Sequence, residues 1–121
     1  MAHDPRFQYD LSFNEYQEKA ATTAIYPHRH EIGGLTYTVL GLNGEAGEVA
    51  EKLKKTIRDN NGKIDEARTY EIAQELGDVL WYVAETASQL GLSLGQIAEI
   101  NIEKLFSRKD RKVLQGSGDA R

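Results

Sequence analysis

The chain of 121 residues contains no cysteine, which excludes disulfides, thiolate metal sites and cysteine nucleophiles. Positive charge is also scarce, because 15 Lys and Arg against 19 Asp and Glu give a net charge of −4. A basic surface supplies most of the affinity for nucleic acid polymers, so such a polymer is not an expected partner. The longest stretch without a charged residue, 32–44, is too short to cross a bilayer. We therefore expect a cytoplasmic protein that does not bind membranes.

Proline is nearly absent, and none follows Pro27. Because proline interrupts helices most strongly, long helices are permitted over most of the chain. Apolar residues recur at steps of three and four, and Ser12 and Ser93 are in the position of N-caps. The alternating pattern of strands is absent. The sequence predicts one all-α domain over 1–121, a small four-helix bundle with helices at 13–25, 35–58, 66–90 and 94–109. An N-terminal arm (1–11), a loop (26–34) and a C-terminal tail (110–121) complete the prediction.

Four carboxylates form two matched pairs on the second and third predicted helices: Glu45 and Glu48, then Glu75 and Asp78. Each pair is spaced i, i+3, which places it on one helix face. If the two helices form an antiparallel hairpin with their apolar stripes facing each other, all four carboxylates project from one side of the hairpin. They also meet at nearly the same height, because both pairs are equally far from the turn.

Like charges that converge in this way repel one another, and a hard divalent cation relieves the repulsion. The pattern therefore favours a site for a divalent cation such as Mg²⁺, and the alternative is an ordinary solvated helix face, on which Glu and Asp are common. A ferritin-like di-iron site needs Glu-x-x-His motifs, and neither His28 nor His30 belongs to one. We expect both histidines on the surface, and His3 in the arm.

Two motifs on consecutive predicted helices, followed by a tail, provide a family resemblance. They are Gly44-Glu45-Ala46-Gly47-Glu48, Glu75-Leu76-Gly77-Asp78 and the tail from Arg108 to Asp119. Together they resemble the MazG-like all-α nucleoside triphosphate pyrophosphohydrolases over residues 13–121. The resemblance implies hydrolysis of a nucleoside triphosphate to the monophosphate and pyrophosphate. Mg²⁺, with Mn²⁺ as a substitute, is then held by Glu45, Glu48, Glu75 and Asp78. Glu45 is either one of these ligands or the catalytic residue that orients or deprotonates water. One departure is Gly44, where the family pattern has a glutamate.

The resemblance also implies groups that bind the substrate. Asn101, Lys104 and Arg108 share one face of the fourth predicted helix and match phosphate-binding residues of similar proteins. Trp81 lies three residues after Asp78 and is the first candidate for stacking on the base. Because the family assembles as dimers or tetramers, a homodimer or homotetramer is expected. Two alternatives remain open, a catalytically silent helical dimerisation module and a regulatory domain that binds a divalent metal.

Overall fold

A computed structural model describes residues 10–121 of the protein, and this part of the chain contains helices and no strands. The helices are α1 (Phe13–Ala21), α2 (Ile32–Asp59), α3 (Glu66–Gln89) and α4 (Leu94–Asp110). The predicted all-α architecture with four helices is thus confirmed. Most of the predicted arm, including His3, lies outside the described residues. None of the four helices is both long and apolar enough to span a membrane.

Local sequence signals explain where the helices begin and end. The side chains of Ser12, Asp65 and Ser93 each accept a hydrogen bond from a backbone N–H in the first turn of α1, α3 and α4. The side-chain oxygen of Gln96 accepts a hydrogen bond from the backbone N–H of Ser93, which completes a capping box. The helix α3 ends where Gly91 adopts a φ of 73°, a conformation that glycine tolerates best.

Two predicted boundaries around the first connection are wrong. The helix α1 ends four residues early, because the hydroxyl groups of Thr22 and Thr23 donate to carbonyl groups of its last turn. The helix α2 begins three residues early and includes Gly34. A Cβ atom at Gly34 would lie 2.4 Å from the carbonyl oxygen of His28, so only glycine allows this close approach. A connection of ten residues, 22–31, therefore joins the two helices.

The helix α3 is the centre of the fold. The helix α2 packs along it as an antiparallel partner, while α1 and α4 pack against α3 and against each other. Among the helices of residues 10–121, α2 contacts only α3. Buried apolar residues lie mainly where α1, α3 and α4 meet: Ala20, Ala84, Ala87 and Leu94. The fold is therefore an α2–α3 hairpin that carries two further helices on one side.

The contact between α2 and α3 differs from the predicted one. The most deeply buried residues on the face of α2 that α3 covers are small: Gly34, Thr38 and Thr56. The ring of Tyr82 packs directly against Gly41, where a Cβ atom would lie 2.1 Å from the ring. This face is one residue, or about 100°, away from the predicted apolar stripe. The prediction that the two apolar stripes face each other was therefore wrong.

The predicted apolar stripe of α2 remains partly uncovered as a result. Val39, Leu53 and Ile57 are exposed to 48%, 47% and 64%. The outer face of α4 adds Ile100 and Phe106, which are exposed to 56% and 59%. Exposed apolar residues that form a contiguous patch often mark an interaction surface.

Candidate active site

Three of the four predicted carboxylates come together between α2 and α3. One carboxylate oxygen each from Glu45, Glu75 and Asp78 lies within 4.8 Å of the other two. Glu45 lies on the α2 face that α3 covers, and Glu75 and Asp78 lie one helical turn apart on α3. Lys52 of α2 approaches Glu75, with 3.9 Å between Nζ and Oε1. We call Glu45, Glu75 and Asp78 the carboxylate cluster.

Glu48 stands next to the carboxylate cluster and is not one of its three members. The pKa of Glu45 is raised above its ordinary value, first by burial and then by the charges of Asp78, Glu75 and Glu48. Glu48 therefore contributes to the negative potential at the cluster. Its predicted role as a metal ligand stays a prediction. The shift at Glu45 indicates a concentration of negative charge that a cation would relieve.

An open cavity of about 340 Å³ begins at the carboxylate cluster. Its lining combines Glu45 and Asp78 with Trp81, Tyr82 and Thr23. One wall is thus anionic and the other is aromatic. The structure places Trp81 beside the cluster, as its spacing from Asp78 predicts.

The aromatic wall continues into a group of four rings. Trp81 meets Tyr82 edge to face, with ring centroids 4.9 Å apart. Tyr26 lies edge-on to Trp81 at 6.1 Å and stacks in parallel on Tyr37 of α2 at 5.2 Å. The indole N–H of Trp81 donates a hydrogen bond of 2.8 Å to the hydroxyl of Thr23. Trp81 is therefore held on two sides by the connection 22–31.

Comparison with known proteins identifies the family. The profile of the MazG nucleotide pyrophosphohydrolase domain matches residues 34–113, about two-thirds of the chain. The chain belongs to the MazG family. It is also 50% identical to the Gene 37 protein of Mycobacterium phage L5 over 109 residues, which cover 88% of this chain and 96% of that protein. No solved structure matches the chain.

The matched residues 34–113 include the carboxylate cluster, Trp81 and Tyr82, as well as the predicted phosphate-binding residues. Lys104 and Arg108 form their ion pairs with the C-terminal tail. The carboxylate of Asp119 accepts from Lys104 Nζ at 3.3 Å and from Arg108 Nη2 at 3.1 Å. Arg108 also donates to the backbone oxygens of Gly118 and Asp119. The tail residue Asp119 thus occupies both cations in this structure.

The three predicted phosphate-binding residues differ in accessibility. The side chain of Arg108 is only 7% exposed, because the tail covers it, whereas that of Lys104 is 40% exposed. Asn101 is exposed and lines an apolar hollow between α3 and α4 together with Leu80 and Ile97. Arg108 therefore supports the tail in this MazG domain. Lys104 remains the cation that a phosphate reaches more easily, and phosphate binding by all three residues stays a prediction.

Several residues around the candidate site were not predicted from the sequence. Thr23 lines the cavity and holds Trp81 across a separation of 58 residues, which no local pattern signals. Glu85, one of the most deeply buried side chains, reads as an ordinary polar residue in an amphipathic helix. One signal was available, because Glu75, Asp78, Tyr82 and Glu85 follow the helical spacing of three and four. His28 and His30 are both exposed, as predicted.

Proposed function

We propose that this protein hydrolyses a nucleoside triphosphate, an NTP or dNTP, to the nucleoside monophosphate and pyrophosphate. The main support is the arrangement of the cavity, where the carboxylate cluster lies beside Trp81 in a MazG domain. The cluster matches the polyanionic end of a metal-bound nucleotide, and the aromatic wall matches a base. In this proposal the same open cavity binds the triphosphate and the base of the nucleotide.

The residues present fit a divalent cation. Glu45, Glu75 and Asp78 offer hard oxygen ligands within 4.8 Å of one another, the donor type that Mg²⁺ prefers. The raised pKa of Glu45 reflects burial and uncompensated negative charge, which a cation would offset. A bound Mg²⁺ neutralises charge on the phosphates and increases the acidity of water. We propose these three residues as ligands, with Glu48 as the fourth.

Glu45 is the best candidate for general base, in which case Glu48, Glu75 and Asp78 hold the cation. It lines the open cavity beside Asp78 and Trp81, where an attacking water has access to its carboxylate. Glu45 would take the proton of the attacking water as a new bond forms between water oxygen and the α-phosphorus. The bond from that phosphorus to the oxygen bridging to the β-phosphorus breaks, and pyrophosphate leaves. Trp81 and Tyr82 would hold the base, and Lys104 would pair with a phosphate.

We also propose that the protein forms a homodimer or homotetramer. The support is the uncovered apolar surface on α2 and α4, which one copy leaves in water. Lys104 and Arg108 of α4 pair with the tail of their own chain. A second copy of the chain is therefore a further source of positive charge at the cavity. Light scattering at several protein concentrations tests this expectation, and a monomer at all concentrations would contradict it.

The decisive experiment incubates the purified protein with Mg²⁺ and each NTP and dNTP. Anion-exchange chromatography should show pyrophosphate and a nucleoside monophosphate in equal amounts. Asp78→Asn should abolish turnover, while Glu103→Gln, which removes one exposed charge from α4, should retain it. Orthophosphate as the first product would refute the proposed reaction. Binding of Mg²⁺ without turnover of any nucleotide would favour the regulatory domain.

A further inference from the structure

Glu85 is a buried carboxylate with an incomplete set of partners. It is 0% exposed, and its Oε1 accepts a hydrogen bond of 2.8 Å from the hydroxyl of Tyr26. Arg29 forms an ion pair with the same oxygen, with 3.4 Å between Nε and Oε1. The other oxygen, Oε2, is buried and accepts no hydrogen bond from any group of residues 10–121. A charge buried in this way contributes little to stability, so its place in the fold calls for another explanation.

The partners of Glu85 tie the connection 22–31 to both helices of the hairpin. Tyr26 and Arg29 belong to this connection, and Glu85 belongs to α3. Gln89, one turn further along α3, donates to the hydroxyl of Tyr26 at 2.7 Å. The ring of Tyr26 stacks on Tyr37 of α2. One tyrosine side chain therefore fastens the connection to α2 and α3 at once.

The fastened connection is conformationally strained. His28 and His30 have φ values of 59° and 71°, in a region that residues other than glycine rarely adopt. Such conformations persist only where surrounding contacts determine the backbone. The bonds of Tyr26 to Glu85 and Gln89 provide such contacts, because they hold the same connection against α3.

The same connection controls the side chain that flanks the carboxylate cluster. Thr23 precedes Tyr26 by three residues, and its hydroxyl accepts a hydrogen bond from the indole N–H of Trp81. Tyr26 also packs edge-on against that indole. A shift of the connection would therefore remove a hydrogen bond and a ring contact from Trp81 together. Glu85 itself does not line the cavity and is too deeply buried to touch a ligand there.

We infer that Glu85 and Tyr26 are positioning residues for Trp81. They lock the connection 22–31 onto α3, and the locked connection fixes the orientation of the indole beside the carboxylate cluster. Glu85 acts through Tyr26 and Thr23. The inference rests on the proposed function only for the ligand of Trp81, a nucleoside triphosphate. The orientation of the indole is tested without any ligand.

Trp81 is the only tryptophan of the chain, so its fluorescence reports directly on this position. Tyr26→Phe removes the hydroxyl and keeps the ring, and Thr23→Val removes the acceptor of the indole N–H. Acrylamide should quench Trp81 more strongly in each folded, ligand-free variant than in the wild type. Tyr70→Phe, on the exposed surface of α3, is the matched control and should leave quenching unchanged.

The double variant separates positioning from simple destabilisation. If both residues act on Trp81 through one connection, Tyr26→Phe combined with Thr23→Val should increase quenching no more than the stronger single variant. Additive effects would overturn the inference. Unchanged quenching in Tyr26→Phe, with only the urea midpoint lowered, would also overturn it, because a merely structural role has that result. If Tyr26→Phe fails to fold, Gln89→Met removes the other bond to the Tyr26 hydroxyl and takes its place.

Nucleotide kinetics test the consequence for the substrate. Tyr26→Phe should raise KM about two- to tenfold, the effect of one lost hydrogen bond, and change kcat much less. A fall in kcat of about two- to tenfold with KM unchanged would contradict a role through Trp81. If the wild type hydrolyses no nucleotide, the proposed function fails, while the quenching results still decide whether Tyr26, through which Glu85 acts, positions the indole.

Discussion

Neutralising Asp78 should change stability in opposite directions with and without Mg²⁺. Its carboxylate lies within 4.8 Å of those of Glu45 and Glu75. Two unit charges at this distance repel by about 1 kcal/mol in water without salt, and by about 0.5 kcal/mol for an exposed group such as Asp78 at physiological ionic strength. Asp78→Asn removes both repulsions and should stabilise the metal-free protein by about 1 kcal/mol in total.

Mg²⁺ should reverse the order of stability. At a hundredfold excess over its dissociation constant, a cation that binds only the folded protein adds about 2.7 kcal/mol. For a domain of this size that energy raises the melting temperature by roughly 8–13 °C. If Asp78→Asn weakens Mg²⁺ binding tenfold, the same concentration adds only about 1.4 kcal/mol. The variant should therefore gain about half of the wild-type shift or less.

Calorimetric melting in EDTA and in Mg²⁺ gives both numbers. Glu103→Gln is the control for net charge, because it removes one exposed carboxylate from α4. It should show the full wild-type Mg²⁺ shift. Equal Mg²⁺ shifts in wild type and Asp78→Asn would show that the metal does not bind at the carboxylate cluster. A metal-free variant that is less stable than wild type would refute the repulsion argument.

Three further predictions follow from individual contacts. Arg108→Ala should lower the free energy of unfolding in urea by about 1.5–3 kcal/mol, because the substitution removes the buried guanidinium and its bonds to the tail. Lys104→Ala should mainly weaken nucleotide affinity in a binding titration, because the Lys104 side chain is more exposed. Gly44→Ala should stabilise α2 by about 0.5–1 kcal/mol, because no atom of residues 10–121 lies near its Cβ position. Gly41→Ala should lower the melting temperature, because a Cβ atom at Gly41 would meet the ring of Tyr82. The raised pKa of Glu45 means that its folded form binds a proton more tightly than the unfolded chain. The metal-free protein should therefore lose this contribution as pH rises from the unfolded value through the folded one, and Glu45→Gln should flatten that dependence in pH-dependent melting; the opposite slope would refute the pKa shift.

Helix existence and the location of the carboxylates could be predicted because both depend on local spacing. The i, i+3 pairs fix which residues share a helix face, and the Asp59–Gly62 turn makes the hairpin antiparallel. Helix ends with a capping side chain, such as Ser12, were also accurate. The end of α1 at Ala21 was missed because Thr22 and Thr23 compete for its last carbonyls, an effect that periodicity does not record.

Which face of α2 packs against α3 could not be predicted from hydrophobic periodicity. Apolar stripes indicate faces that leave water, but they do not indicate which partner covers them. Here the close contact uses Gly41, because a large ring at Tyr82 needs a partner without a side chain. The network of Glu85, Tyr26 and Thr23 joins residues 58 or 59 positions apart, and only the fold brings such residues together.

The composition of one face of α3 accounts for both the candidate site and the uncovered apolar surface. Its helical spacing of three and four places Glu75 and Asp78 in line with Tyr82 and Glu85. The ring of Tyr82 leaves no room for a side chain at Gly41, and the small residues Thr38 and Thr56 lie on the same face of α2. The larger apolar residues of α2 then turn away from α3, and Ile57 remains 64% exposed. This arrangement is the physical reason for the proposal that a second copy of the chain covers α2.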